Sequence, residues 1–170
     1  RGLGDVYKRQ AADAAFAGAV DAAQLMANSA KKAGIDIEVI REPNDGYWSN
    51  VWNNDAKGWC ACYWGGRPAE TMMFSAAYVA ESKWNDTMWK TTDSAVKFNQ
   101  LVKDARKELD ESKKRDILYE CQRLIYDDGG LLCPLFNSYV SANSKKIAHG
   151  KIAANWDSDG AKCVERWWFA

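Results

Sequence analysis

Histidine is almost missing from this chain: of 170 residues only His149 is one. That removes the usual proton shuttle and the commonest metal ligand from all but one position. The five cysteines, Cys60, Cys62, Cys121, Cys133 and Cys163, have no zinc-site spacing, and Cys60-Ala61-Cys62 is not the C-x-x-C of a redox helix. No G-x-S-x-G elbow and no glycine-rich phosphate loop occurs, and His149 has no evident nucleophile partner. Charge of one sign is missing as well, since 23 basic residues balance 23 acidic ones. That leaves no electrostatic footprint for nucleic acid. The basic run from Lys103 to Arg115 is interrupted by Asp104, Glu108, Asp110 and Glu111, as on a solvated helix face. There is no long apolar run to span a membrane, no signal-peptide pattern and no initiator Met. These absences predict no catalytic residues, no metal site, no cofactor and no enzyme activity.

What is abundant is tryptophan, at nine residues, within a composition 47% hydrophobic and 27% charged. Such a chain is globular, and indole rings supply large rigid faces for packing or stacking. The opening RGLGDVYKRQ (1–10) contrasts with the alanine-rich stretch from Ala11. Without those ten residues the charge balance shifts to −2.

Helical spacing of Val20, Ala23, Ala27 and Ala30 predicts a helix over 11–33, ended by Gly34. Alternation over 35–39 predicts a strand, broken by Pro43 and Asn44-Asp45-Gly46. A short amphipathic helix carrying Tyr47, Trp48, Val51 and Trp52 comes next, and then a strand over 58–66. This order makes an α/β layer. Residues 70–90 read as loop with short helical turns. Two amphipathic helices succeed it. One has the stripe Phe98, Leu101, Val102, Ala105 and Leu109, with Asp93 as N-cap. The other has the stripe Ile117, Leu118, Cys121, Leu124 and Ile125, capped by Asp110 and ended by Gly129-Gly130. Leu131–Phe136 predicts an apolar strand, placed by Pro134 at an edge or crossing point. Val164–Phe169 predicts a last strand. On a strand, Cys60 and Cys62 point to one face as a pair of buried, inert thiols.

Three segments, AAQLMANSAKKAGIDIEVI (22–40), YWGGRPAETMMF (63–74), and FNQLVKDARKELDESKKRDILYECQRLI with GGLLCPLF (98–136), carry a resemblance. Together they resemble the C-terminal part of bacterial extracellular solute-binding proteins of family 5, the oligopeptide, dipeptide and nickel-binding group of ABC importers. The resemblance covers 11–170. Residues 1–10 resemble a translated adaptor from sequencing-library preparation. The resemblance implies a periplasmic-binding-protein-like (type II) α/β fold of two lobes, with only the C-terminal part present. Residues 11–130 would belong to the C-terminal lobe, and 131–170 would cross back to the N-terminal lobe. It implies a periplasmic or extracytoplasmic protein, monomeric at full length, that captures a peptide or other small molecule between its lobes and hands it to a membrane permease.

The ligand-binding stretch expected on these grounds is Tyr63, Trp64, Gly65, Gly66, Arg67 and Glu70. A strand ending in glycines lets a ligand approach backbone, Trp64 offers a flat face, and Arg67 offers a fork of donors suited to carboxylate. A surface turn with Arg67 in water and Trp64 in the core is the competing reading. In peptide-binding relatives an Asp soon after this Trp pairs with the peptide amine. Anchoring on Trp64 puts Arg67 near that place, anchoring on Trp59 puts Cys62 there, and Glu70 is the nearest carboxylate. In an exported protein Cys121 and Cys133 either form a disulfide or remain two buried free thiols. The rival function is a glycan-binding module built on a row of exposed Trp rings; a third reading joins Cys60 or Cys62 to His149 as an enzyme.

Overall fold

The computed structural model describes residues 7–54 and 57–170. The chain divides into two compact units, one ending at Trp64 and the other running from Gly65 to Ala170. The lobe boundary expected at 130 lies inside the second unit.

The first unit is a three-stranded parallel sheet in the order β2-β1-β3. Its central strand β1 (Tyr7–Ala11) pairs with β2 (Ile37–Arg41) from Tyr7↔Ile37 to Ala11↔Arg41. On its other side it pairs with β3 (Trp59–Cys60) at Arg9↔Trp59 and Gln10↔Cys60. Tyr7–Gln10, set apart by composition from the alanine-rich stretch beyond them, thus supply most of the middle strand, whereas residues 1–6 lie outside the described residues. Helix α1 (Ala19–Lys31) connects β1 to β2. The predicted helix over 11–33 is too long at its start. Ala11 is held in β1 by its pairing with Arg41, and the chain turns before Ala19 through Gly18 at φ +80°. The predicted end is right: Gly34 is left-handed, and Ile35 N–H donates back to the Ala30 carbonyl at 3.1 Å. That bond also moves the strand from 35–39 to Ile37–Arg41, since Ile35 is still closing the helix.

Alanine dominates this core. Ala11, Ala12, Ala15, Ala19, Ala23 and Ala61 are buried beside Val51 and one large side chain, Tyr47. Each buried methyl contributes only about 0.8 kcal/mol, but methyls let helix and sheet approach closely. Tyr47 begins the short helix α2 (Tyr47–Asn50) and is 1% exposed. Its hydroxyl donates to the Ala61 carbonyl at 2.7 Å and so ties α2 to the chain leaving β3. The predicted strand over 58–66 forms a ladder only at Trp59–Cys60.

The second unit is built on the helices α3 (Glu70–Ala77), α4 (Asp93–Ala105) and α5 (Glu111–Asp128). Helix α3 occupies part of the stretch expected to be loop. The N-cap of α4 is Thr92, whose hydroxyl accepts the Ala95 N–H, and not Asp93, which is already helical. Asp110 caps α5 as expected, accepting N–H groups from Ser112 at 2.9 Å and Lys113 at 3.0 Å. Gly129 closes it where a Cβ would meet the Ile125 carbonyl oxygen at 2.5 Å. Phe98 is the centre of this core, 0% exposed and packed against Phe74 and Trp89 at ring distances of 5.5 and 5.2 Å. Val102, Ala105, Cys121, Leu124 and Ile125 are buried with it, but Leu109 lies past the end of α4 and is 91% exposed.

The strand expected at 131–136 is not formed. Among the described residues no ladder includes it, and from Leu132 to Lys146 every residue is exposed. Pro134 lacks an N–H, and hydrophobicity alone does not make a strand without a neighbour to pair with. Of the last expected strand, Val164–Phe169, only Trp167–Phe169 are extended, as β5, antiparallel to β4 (Ile147–His149), a strand not expected from the sequence. Between them α6 (Asp157–Ala161) is a turn whose Ser158, Asp159 and Gly160 are left-handed, and Cys163–Arg166 form a helical turn, α7.

Candidate functional site

The expected binding stretch crosses the boundary between the two units. Tyr63 and Trp64 close the first unit, and Gly65, Gly66, Arg67 and Glu70 open the second. The structure places each group among its own neighbours.

In the second unit Gly65-Gly66-Arg67 leads through Pro68 into α3. Arg67 Nη1 donates to the Gly65 carbonyl at 2.8 Å, and its guanidinium lies 5.2 Å from the centre of the Trp156 ring. The Gly66 N–H donates to the Tyr139 hydroxyl at 3.1 Å. A Cβ on Gly65 would come within 3.7 Å of Trp156, and one on Gly66 within 3.6 Å of the Tyr139 oxygen, both ordinary contacts. The chain's own Trp156 and Tyr139 thus lie beside the two glycines, of which Gly66 is exposed. Arg67 is half-buried and aligned, not a solvated surface arginine. Glu70 is exposed on the first turn of α3. Tyr139 and Trp156 were not legible as partners of this turn; the one available signal was a large aromatic residue in each of two polar loops.

In the first unit Tyr63 and Trp64 join Trp48 and Trp52 in one ring cluster. Trp48 meets Tyr63 at 5.8 Å and 72°, and Trp52 at 5.7 Å and 73°. Trp52 meets Trp64 at 6.1 Å and 65°. Trp48 and Tyr63 remain 40% and 62% exposed. Trp64 is partly buried in this cluster, so it is neither a bare flat face nor core.

The remaining candidates have other partners. His149 stacks on Trp167 at 4.9 Å and 32°, with Nδ1 at 2.9 Å from the Gly150 carbonyl. Beside it Asp159, 4% exposed, accepts from the Ala153 N–H, the Trp167 indole N–H and Arg166. The Ala153 bond first, then the indole and the cation, holds its carboxyl below the ordinary range. Asp128 likewise sits low, accepting from Ser94, Trp89 and Thr92. These carboxylates fasten the fold. Cys121 and Cys133 are both free thiols here, Cys121 buried on α5 and Cys133 exposed. This is neither the bridge nor the fully buried pair. Cys60 and Cys62 are half-buried. Among the described residues no group of three metal-ligating side chains gathers, and no helix is long and apolar enough to cross a membrane. A cavity of about 390 Å³ opens between α3 and α4, lined by residues including Ser75, Glu81, Lys103 and Arg106. Its polar groups are engaged with one another, Arg106 with Ser75 and Lys103 with Glu81.

No family model matches the chain, and no curated protein matches it in sequence. Among solved structures it is similar to NikZ from Campylobacter jejuni in complex with Ni(L-His), with a TM-score of 0.52 at 14% identity. The match covers 74% of this chain and 25% of NikZ, so the chain spans about a quarter of that protein's length. At that identity the likeness is one of fold: a mixed α/β arrangement shared with part of NikZ.

Proposed function

We propose that the chain is part of the substrate-binding component of an ABC uptake transporter. In this reading it captures a small solute outside the cytoplasm and presents it to a membrane permease. The observation that carries the reading is the fold likeness to part of NikZ, whose structure holds Ni(L-His) as a bound small molecule. It agrees with the resemblance of the three segments to family 5. Residues 11–130 then belong to the C-terminal lobe, and 131–170 hold the crossing segment and the return. The exposed stretch from Leu132 supports this reading, because such a segment would find its neighbours in the other lobe.

Binding proteins of this kind make and break no bond. Solute that bridges two lobes favours the closed state over the open one. Arg67 is the residue we assign to an anionic group on the solute. Its guanidinium is steadied by the Gly65 carbonyl and the Trp156 ring, which reduces the ordering a ligand must impose. A hydrogen bond to a charged group contributes about 1.5–3 kcal/mol. Titration of the chain with Ni(L-His), a dipeptide panel and glutarate tests the proposal. Saturable binding of at least one is expected, weakened about tenfold or more by Arg67→Ala. A folded chain that binds none of them overturns the function, and an unchanged Kd in Arg67→Ala removes Arg67 from it. The glycan alternative calls for rings in a row on one plane; the interplanar angles of 65° to 73° in the first unit do not provide it.

A further inference from the structure

We infer that the ring cluster Trp48, Trp52, Tyr63 and Trp64 binds a quaternary ammonium group on the solute. This deepens the solute-binding proposal and rests on it.

The geometry is the first argument. Each ring stands at 65° to 73° to the next, with centroids 5.7 to 6.1 Å apart. Two ring faces that meet nearly at right angles make a corner. A cation is drawn to the electron-rich face of a ring within about 6 Å of its centroid, and a corner offers it two faces at once. A flat ligand needs parallel walls or a coplanar floor, and this cluster has neither.

Accessibility is the second. Trp48 and Tyr63 form the outer corner and keep 40% and 62% of their surface exposed. Large aromatic side chains left open beside one another need an occupant more than isolated exposed ones do.

Charge is the third. The ring-bearing stretches 47–52 and 60–64 hold no charged side chain, and over residues 7–64 seven acidic residues stand against six basic ones; of these Arg9 is engaged with the Trp59 ring, 5.7 Å from its centre. The exposed Asp45 lies just before α2. Lys57, the first basic residue after the ring-bearing helix, is paired with Glu42 at 2.9 Å. Within the ring-bearing stretches no side chain is a cation that would compete for the ring faces.

The corner is also pre-set. Tyr47, next to Trp48, is buried and donates to the Ala61 carbonyl two residues before Tyr63. One hydrogen bond therefore fixes the two segments that supply the rings, so little ordering is left for binding.

The test is a tryptophan-fluorescence titration of the chain at constant ionic strength with choline and with its neutral isostere 3,3-dimethylbutan-1-ol. Choline is expected to saturate, and the isostere to bind about tenfold more weakly or not at all. Trp48→Leu and Tyr63→Leu keep apolar volume at partly exposed positions and should abolish the difference; Trp48→Phe should restore part of it. Equal binding of alcohol and cation, or choline binding untouched by Trp48→Leu, overturns the inference. If choline fails while Ni(L-His), a dipeptide or glutarate binds in an Arg67-dependent way, only the ammonium site falls. If none of the probes binds, the solute-binding reading falls with it.

Discussion

Removing a single oxygen, by Tyr47→Phe, tests how the first unit holds its ring cluster in place. The phenol is the one large side chain fully enclosed in an alanine core, at 1% exposure. Its hydroxyl donates to the Ala61 carbonyl at 2.7 Å, a short, well-formed bond in a buried setting. Phenylalanine keeps the ring and its packing but leaves that carbonyl without this donor. A buried acceptor so stranded costs about 1–3 kcal/mol. A central value of about 2 kcal/mol corresponds to roughly a thirtyfold shift toward the unfolded state. Urea unfolding at pH 8, followed by tryptophan fluorescence, should show it as a lower midpoint at unchanged slope. Alkaline pH supplies an internal check. Burial first, and the neighbouring Cys60 and Cys62 after it, hold the Tyr47 phenol above its ordinary value of 10.0. A pKa raised on folding gives stability that is complete below the unfolded value and is lost as pH rises past it. Above pH 10 wild type should weaken while Tyr47→Phe lacks this contribution, and the gap between them should narrow. A loss under about 0.5 kcal/mol at pH 8, or a gap constant with pH, would refute the reasoning.

Three further outcomes are expected. Phe98→Ala empties the centre of the second unit, where Phe74 and Trp89 pack on the ring, and should cost about 3–5 kcal/mol in calorimetry or urea; a cost under about 1 kcal/mol would show that the ring is not enclosed. In iodoacetamide mapping at pH 8 without reductant, exposed Cys133 should label at once. Cys121, whose thiol burial pushes up to about 11 with Glu120 adding to it, should label only after unfolding; a peptide linking Cys121 to Cys133 would contradict the structure. Light scattering of the chain alone should show association through the stretch around Phe136 and Val140, exposed by 95% and 92%, with Phe136→Asp and Val140→Lys lowering the mass. A monodisperse wild-type monomer would argue against it.

The helices were legible in proportion to their periodicity. The stripe Phe98, Val102, Ala105 and the stripe Cys121, Leu124, Ile125 are buried as spaced, and Asp110 and Gly129 sit where cap chemistry puts them. Alanine misled because it favours a helix without insisting on one: Ala11 went to the strand whose backbone it could pair with. Helix α3 was missed because its apolar residues are spread round it, with only Phe74 and Ala77 buried; Glu70 in its first turn, just after Pro68, was the usable signal. At the candidate site, the residue types of 63–67 were readable but their neighbours were not. Gly66 to Tyr139 is a separation of 73 residues, and no local pattern encodes such a contact. The strand expected at 131–136 failed for a related reason, since a strand is a property of a pair.

The methyl-lined interior of the first unit carries a lesson about its tolerance of change. At Ala11, Ala12, Ala15, Ala19, Ala23 and Ala61 nearly every substitution is an enlargement, because only glycine is smaller. Sequence drift in this half is thereby confined to its outer skin, and variants there should be accepted or rejected by volume long before polarity is consulted.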